Sequence, residues 1–339
     1  MTLENIVELD LSFCPINTLP SSFGCQSKLE VLDLRGSEIE SIPSSIINLT
    51  RLRKLNIRFC SKLLVLPVLP SSLETLLVGV CRLLKTVLFP STVAEQFKEN
   101  KKKVEFWNCL NLDESSLINI GLNLQINLMK LACQHLSTLE HDDYVESYVD
   151  YEDNLDSYQA MYAYPGSNVP NWLVYKTTED DMILDFSQPH LSPLLGFVFC
   201  FVIAKHFKLR YQIKLKITTI EGDDEKDGVD IYLRRQWDIE SDHVCMIYNQ
   251  PCSQYLTRLA KNQTSFKIKV TAIPSHEEQK REVKLKGFGM SPINHSTYPN
   301  LVQQKEKEEE GETKQSVLRK QTKRDKSLQM LGKVCRFLL

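Results

Sequence analysis

Leu9-Asp10-Leu11, Leu32-Asp33-Leu34 and Leu55-Asn56-Ile57 recur at a spacing of 23 residues, and a fourth triplet, Leu76-Leu77-Val78, follows 21 residues later. Each sits in the same frame. Ile6, Leu29, Leu52 and Leu73 stand three residues before it, and Cys14, Ser37, Cys60 and Cys81 stand three residues after its second apolar side chain. Apolar pairs then close each copy at Ile16/Leu19, Ile39/Ile42, Leu63/Leu66 and Leu84/Val87, the first three running into Pro20, Pro43 and Pro67. A period in the twenties with L-x-x-L-x-L spacing predicts a solenoid. One unit cannot bury its apolar face alone, so coils stack around a continuous core and leave a curved surface for partners.

Within a coil, the triplet is expected to be a short strand of a parallel ladder, its two apolar side chains inward and its flanking positions outward on the concave face. The Cys/Ser position places a small polar group against buried backbone as the chain turns, and the proline breaks any long helix on the convex side. "LPSSF" (19–23) and "IPSSI" (42–46) are near copies. Val104-Glu105-Phe106, with Cys109 and Leu112, reads as a degenerate fifth copy after a polar insertion, Val93 to Lys103. Residues 113–137 read as a helix that seals the array: Asp113-Glu114-Ser115-Ser116 offers N-cap candidates, and Leu117, Ile120, Leu124, Leu128 and Leu131 recur at three- and four-residue steps.

Beyond an acidic stretch from Glu140 to Asp156, the period changes to two. Tyr211/Ile213/Leu215/Ile217, Val229/Ile231/Leu233, Phe266/Ile268/Val270 and Val283/Leu285 alternate with polar residues and predict half-buried strands. Phe197 to Ile203 is apolar throughout and suits a central strand covered on both faces. Together they predict an antiparallel β-sandwich over about 160–290. From Gln303 the chain is charged and is expected to be disordered or a frayed helix.

Composition bounds function by exclusion. A net charge of −2 gives no global pull toward nucleic acid or anionic membrane. Met1-Thr2-Leu3-Glu4 opens no secretory signal, and Gly196 to Ala204 is too short to span a bilayer. Ten scattered cysteines, several at one repeat position, suit reduced thiols of a cytoplasmic or nuclear protein, where the sequons at Asn48, Asn262 and Asn294 stay unmodified. No Walker loop or nucleophile motif is present, and Gly287-Phe288-Gly289 is a fragment of a glycine motif at an expected strand end. Cys133, His135 and His141 lack a second metal-ligand pair. Asp223, Glu225 and Asp227 mimic a calcium loop, but its twelfth position is Arg234, so Asp227-Gly228 reads as a hairpin turn. Lys214, Lys216, Lys267, Lys269, Lys284 and Lys286 read as a solvated outer sheet face, and Arg319, Lys320, Lys323 and Arg324 as a solvated charge run rather than a nuclear-targeting patch. No cofactor, metal or catalytic residue is expected.

The outward positions of the ladder are the candidate docking residues: Glu8, Asp10, Ser12 and Phe13; Val31, Asp33 and Arg35; Lys54, Asn56, Arg58 and Phe59; Thr75, Leu77 and Gly79. Arginine and aromatic side chains anchor interfaces more often than other types, which singles out Phe13, Arg35, Arg58 and Phe59.

The repeats "LDLSFCPINTLPSSF" and "LDLRGSEIESIPSSIINLTRL" resemble the leucine-rich repeats of plant intracellular immune receptors, the TIR–nucleotide-binding–leucine-rich-repeat disease resistance proteins. "FWNCLNLDESSLINIGLNLQINLMKLACQHL" (106–136) is similar to the end of that repeat domain in legume members. "YAYPGSNVPNWLVYKTTEDDMILDF" (162–186) is similar to the domain that follows it, the C-terminal jelly-roll/Ig-like domain. The most specific part is Pro165, Gly166, Ser167, Pro170 and Trp172. The resemblance implies an α/β leucine-rich-repeat solenoid followed by an antiparallel β-sandwich. Repeats and capping helix would fill 1–137, an acidic linker 138–160, the jelly-roll/Ig-like domain 161–292 and a disordered charged tail 293–339. It further implies a non-enzymatic recognition module that contacts a pathogen effector or a guarded host protein and regulates TIR and nucleotide-binding modules in cis or trans. The residues of those modules have no counterpart here, so the chain reads as a fragment or truncated paralogue, alternatively a decoy that pairs with a full-length receptor. A carbohydrate-active sandwich is the reading from another class; it needs a carboxylate cleft, with Asp180-Asp181 and Asp223-Asp224 the adjacent pairs on offer.

Overall fold

The computed structural model describes residues 5–26, 28–138, 160–187, 193–205, 213–221, 224–233, 238–274 and 285–309. The linker expected at 138–160 lies outside these apart from its two end residues, as do His141, Tyr211, Asp223, Val283, Lys284 and the tail beyond 309.

Each repeat contributes one short strand to the ladder, β1 (Glu8–Asp10), β2 (Val31–Asp33), β3 (Lys54–Asn56), β5 (Thr75–Leu77) and β7 (Lys103–Glu105), and the third and fourth repeats add β4 (Val65–Leu66) and β6 (Thr86–Val87), which pair with each other. β1, β2, β3, β5 and β7 pair in parallel with Leu9, Leu32, Leu55, Leu76 and Val104 in one row. The degenerate fifth copy therefore joins the ladder in register. Leu32, Leu34 and Leu55 are fully buried, whereas Leu9 and Leu11 in the first coil are only partly covered. On the convex side, 3-10 turns at Ser21–Cys25 and Ser44–Asn48 follow Pro20 and Pro43. Their backbones approach so closely that a Cβ on Gly24 would lie 2.2 Å from the Ser45 carbonyl oxygen.

Three residues past each of the five ladder strands the backbone enters the left-handed region, at Phe13 (φ 56°), Gly36 (69°), Phe59 (60°), Val80 (62°) and Asn108 (55°). Only one of the five is glycine, so four coils accept a conformation costing about 1–2 kcal/mol in L-residues. The turn tucks the next side chain inward. Cys60 Sγ donates to the Leu34 carbonyl at 3.1 Å, Cys81 to Ile57 at 3.0 Å and Cys109 to Val78 at 2.6 Å. Burial pushes the Cys60 thiol up to about 11. The nine described cysteines are all free thiols.

After a short α1 (Val93–Gln96) and the long α2 (Glu114–Thr138) come β8 (Ala160–Pro165), β9 (Tyr175–Thr177), β10 (Asp181–Asp185) and β11 (Leu194–Ile203). Then follow β12 (Ile213–Glu221), β13 (Asp224–Leu233), β14 (His243–Tyr248), α3 (Gln250–Asn262), β15 (Ser265–Pro274) and β16 (Leu285–Asn294). β8 is the seam of the molecule. It adds to the repeat ladder in parallel with β7, Val104 opposite Tyr162, and pairs antiparallel with β14 on its other edge. One ten-stranded mixed sheet results, in the order β1-β2-β3-β5-β7-β8-β14-β11-β16-β9. Its rows cross the seam unbroken: Leu9, Leu32, Leu55, Leu76, Val104, Tyr162, Met246 and Cys200 share one face of the core. The opposite face carries Asp10, Asp33, Asn56, Leu77 and Glu105, then Ala163, Cys245, Phe201 and Phe288. Apart from Leu77 that face is polar along the repeats, and it turns apolar where the antiparallel sheet β10-β15-β12-β13 covers it with Leu215, Ile217, Ile231, Leu233 and Ile268. β11 is central, as its unbroken apolar run requires, with Phe197 to Ile203 fully buried.

Three local expectations need correction. The β12–β13 hairpin forms, but Asp227-Gly228 lies inside β13, where Gly228 faces Thr218 beside a register shift. Gly287 and Gly289 lie within β16 rather than at its end; the loop of the Pro-Gly-Ser motif crosses them, and a Cβ at either would sit 2.9 or 2.6 Å from Val169. Residues 293–302 are strand and helix rather than the start of a disordered tail: β16 runs to Asn294, a helix begins at 297, with Tyr298 edge-on to Phe97 at 6.0 Å, and it continues to 309, as the helix alternative from Gln303 allowed.

Helix α2 packs on β6 and also along β8, β11, β14 and β16, so it straddles the seam as well as closing the repeats. Its wide contact buries Asn123, Ile126, Asn127, Met129, Ala132 and Cys133 in addition to the expected stripe. Asp113 caps it: its Oδ1 accepts the Ser116 N–H at 2.8 Å and the Ser115 hydroxyl at 2.9 Å, and its Oδ2 accepts the Thr86 hydroxyl at 2.9 Å. These bonds, Ser116 first, hold its carboxyl well below the usual carboxylate range. The stabilisation is complete above the unfolded-state value of about 3.9 and is lost as pH falls through the depressed folded-state value. Asp113→Asn is expected to flatten the acid limb of a melting-temperature profile; an unchanged acid limb would show that the cap carries no such charge.

Candidate partner-docking face on the repeats

The uncovered part of the sheet spans β1, β2, β3 and β5. Asx side chains at one register position organise it. Asp10 Oδ1 accepts the Ser12 N–H at 2.8 Å, Asp33 Oδ1 accepts that of Arg35 at 2.9 Å, and Asn56 Oδ1 accepts that of Arg58 at 3.3 Å. Asn56 Nδ2 also donates to Asp33 Oδ2 at 2.9 Å. These short polar residues satisfy the strand ends just before the left-handed turn.

Of the sequence-derived positions, Glu8, Asp10, Phe13, Lys54 and Phe59 are exposed, and Ser12, Val31, Asp33, Arg35, Arg58 and Thr75 are half-buried. Phe13 is 67% exposed, with its ring against Gly36 and the Arg35 guanidinium 5.3 Å from its centroid, a cation–π distance. Asn56, Leu77 and Gly79 are buried, contrary to their reading as contact residues. An ion pair two coils long spans the same rows. Arg58 on the third coil reaches Glu105 on the fifth at 3.3 Å, and Lys103 meets the other Glu105 oxygen at 3.4 Å. The fourth coil lies between the two partners, with Leu77 in the register row of Glu105.

Glu105, Trp107, Asn108 and His243 complete the rim and were not among the candidates. Glu105 occupies the Asp10/Asp33/Asn56 position of the fifth copy, so its signal was present in the triplet. His243 carried none, lying 135 residues from its partner. Its Nε2 accepts the Asn108 N–H at 2.9 Å, its Nδ1 lies 2.8 Å from the Ser241 carbonyl, and its ring lies 5.1 Å from that of Trp107. Asn108 donates to the Asp238 carbonyl at 2.5 Å and accepts the Glu240 N–H at 2.9 Å. Thus residues 238–243 clamp the last left-handed turn where the open face ends.

The motif residues do structural work beside this clamp. Pro165 pairs with His243, Gly166 N–H donates to the Asp242 carbonyl at 3.0 Å, and Ser167 bonds the Asp242 side chain. The Pro170 carbonyl accepts from Leu173 at 3.3 Å, and Trp172 packs on the core. On the second sheet, Lys214 pairs with Asp230 at 2.6 Å, Lys267 with Asp181 at 2.7 Å, and Lys286 on β16 with Asp242 at 2.5 Å, which dilutes any positive face and engages one of the candidate carboxylates. Cys133 donates to the Asn294 carbonyl at 3.5 Å, and His135 bonds the Tyr248 hydroxyl at 2.7 Å. Among the described residues no three His, Cys, Asp or Glu side chains group as a metal site, and no helix is long and apolar enough to cross a membrane.

Sequence comparison finds plant disease resistance proteins. Disease resistance-like protein DSC1 of Arabidopsis thaliana is 26% identical over 173 residues, which is 51% of this chain and 13% of the relative. The TMV resistance protein N of Nicotiana glutinosa is 25% identical over 204 residues, 59% of this chain and 16% of the relative. Disease resistance protein RML1B of Arabidopsis thaliana is 36% identical over 90 residues, 26% of this chain and 8% of the relative. The chain is a relative of plant disease resistance proteins. It matches less than a fifth of the length of each of these three. No protein-family model matches it. The leucine-rich repeat domain of the type III effector XCV3220 (XopL) overlays on 30% of this chain and 35% of its own at a TM-score of 0.26 and 24% identity, too slight a likeness to add to the ladder itself.

Proposed function

We propose that this chain is the protein-recognition part of an intracellular plant immune receptor. In this reading the concave face of the repeats contacts a pathogen effector or a guarded host protein, in the cytoplasm or nucleus. The antiparallel strands are its C-terminal jelly-roll/Ig-like domain, joined to the repeats through β8. Binding regulates TIR and nucleotide-binding modules in cis or in trans, and no chemistry is performed by the chain itself. The observation that carries the reading is the uncovered concave wall with two aromatic side chains standing on it, Phe13 at 67% and Phe59 at 36% exposure. Large aromatics at that exposure cost solvation and supply the anchors interfaces use most. The kinship to disease resistance proteins supports the class of partner.

Pull-down of the full chain against a panel of pathogen effectors and against receptor nucleotide-binding modules tests it. Capture is expected to fall at least tenfold in a Phe13→Ala/Phe59→Ala variant and to persist in Ile47→Ser, a convex-side control at an exposed position. Capture that survives the double variant, or a folded chain that captures nothing, would sink the reading.

A further inference from the structure

The two outward arginines of the ladder occupy equivalent positions in neighbouring coils but have different partners. Arg58 reaches two coils onward to the Glu105 carboxylate at 3.3 Å. The position two coils onward from Arg35 is Leu77, in the same register row as Glu105, so the chain supplies Arg35 with no such anion. Nearer carboxylates are engaged elsewhere. Asp33 accepts from the Arg35 backbone and from Asn56, and Asp10 accepts from Ser12. Asp10 feels the Arg35 charge, but no carboxylate among the described residues lies within ion-pairing distance of that guanidinium. The Arg35 Nε is buried and has no acceptor. The guanidinium is instead stacked beside the exposed Phe13 ring, with Phe59 one coil beyond Gly36, coils being spaced about 4.8 Å apart.

We propose that Arg35, Phe13 and Phe59 form a composite subsite for a carboxylate side chain flanked by an aromatic or aliphatic one. The partner is thus a protein segment presenting Asp or Glu next to an apolar residue. The inference rests on the concave face being the docking wall and adds the chemistry of what docks there. The guanidinium offers planar donors to the carboxylate, as Arg58 does within the chain, and the two rings cover the neighbouring apolar side chain and exclude water from the pair. A phosphate backbone fits less well, because Glu8 and Asp10 lie exposed on the adjoining coil and Asp33 stands two residues before Arg35, repelling a continuous run of anions. The same acids set the direction of the partner, its carboxylate over the second coil and its neutral side over the first.

The test uses the full chain and a displayed library of random twelve-residue peptides. Recovered peptides are measured in solution against wild type, Arg35→Glu, the milder Arg35→Gln and Phe13→Ala/Phe59→Ala, with the fold of each variant checked by circular dichroism. The expected result is enrichment of Asp or Glu next to an apolar residue. Changing that acid to its amide, or Arg35 to Gln, weakens binding at least tenfold, and Arg35→Glu prefers peptides with Lys in place of the acid. Peptides lost with the aromatic double variant but indifferent to their own charge and to Arg35 would overturn this subsite and leave the docking wall standing. Peptides indifferent to the aromatic variant, or no peptide recovered, would overturn both. Arg35-dependent capture of a single-stranded oligonucleotide would reassign the guanidinium to phosphate and also overturn the proposal.

Discussion

Replacing Glu99 with alanine is expected to destabilise the full chain by about 3–5 kcal/mol, the cost of stranding one member of a buried ion pair. Glu99 and Lys101 are 2% and 4% exposed and 2.5 Å apart. The second Glu99 oxygen accepts from Asn123 Nδ2 at 2.6 Å and from Asn127 Nδ2 at 3.4 Å, and Asn127 Oδ1 accepts the Lys101 N–H at 3.0 Å. Lys130 donates to the carbonyls of Phe97 and Glu99, and the Tyr162 hydroxyl donates to that of Lys101. The repeats, α2 and β8 therefore all make bonds to this one loop. Burial pulls the Lys101 ammonium below its ordinary pKa while Glu99 opposes the shift, so without Glu99 the lysine must lose its proton or draw in water. Glu99→Gln combined with Lys101→Met removes both charges, keeps an acceptor for Asn123, and is expected to restore most of the loss. Denaturant melts check both; a Glu99→Ala chain within about 1 kcal/mol of wild type would show that the pair carries no strain on the fold.

Asn108→Ala is expected to cost roughly 2–4 kcal/mol. It removes the bonds to Asp238 and Glu240, leaving two backbone groups unpaired, and forces alanine into φ +55°. Asn108→Gly separates the terms, since it loses the same bonds but tolerates the turn. His243→Phe keeps ring volume against Trp107 yet strands the Asn108 N–H, for a loss of about 1–3 kcal/mol. Because this clamp, with β8 and α2, joins the repeats to the antiparallel strands, the Asn108 variant should also broaden the urea transition or split it in two. A single sharp transition at the wild-type midpoint would contradict the clamp.

Much of the ladder was legible because its cause is local. A leucine every 23 residues fixes which side chain faces in, and the Cys/Ser position and the proline fix where the chain turns. The seam was not legible. Ala160 to Pro165 has neither the L-x-L triplet nor a clean alternation, and Tyr162 fills a leucine position 58 residues after Val104 only because β8 is buried on both faces. Glu99 and Lys101 fell within an insertion read only as polar; their bonds to Asn123, Asn127 and Tyr162 come from partners that a local window does not contain. Asp227-Gly228 carries a strong turn signal, yet Gly228 serves a bulge where its Cβ would meet the Ile217 carbonyl at 2.5 Å. On the proposed docking face, the outward placement of Phe13, Arg35 and Phe59 was readable from the repeat spacing. The burial of Asn56 and Leu77 was not, nor was the ion pair that links coils 47 residues apart.

Hydroxyl-radical footprinting of the full chain, alone and with a captured protein partner, tests the docking wall most directly. Phe13 and Phe59 should oxidise readily in the free chain and be shielded severalfold in the complex, while Val174, Ile183 and Leu83, exposed elsewhere on the surface, react unchanged. Shielding of those three with undiminished oxidation at Phe13 and Phe59 would place the partner on another surface and contradict the account.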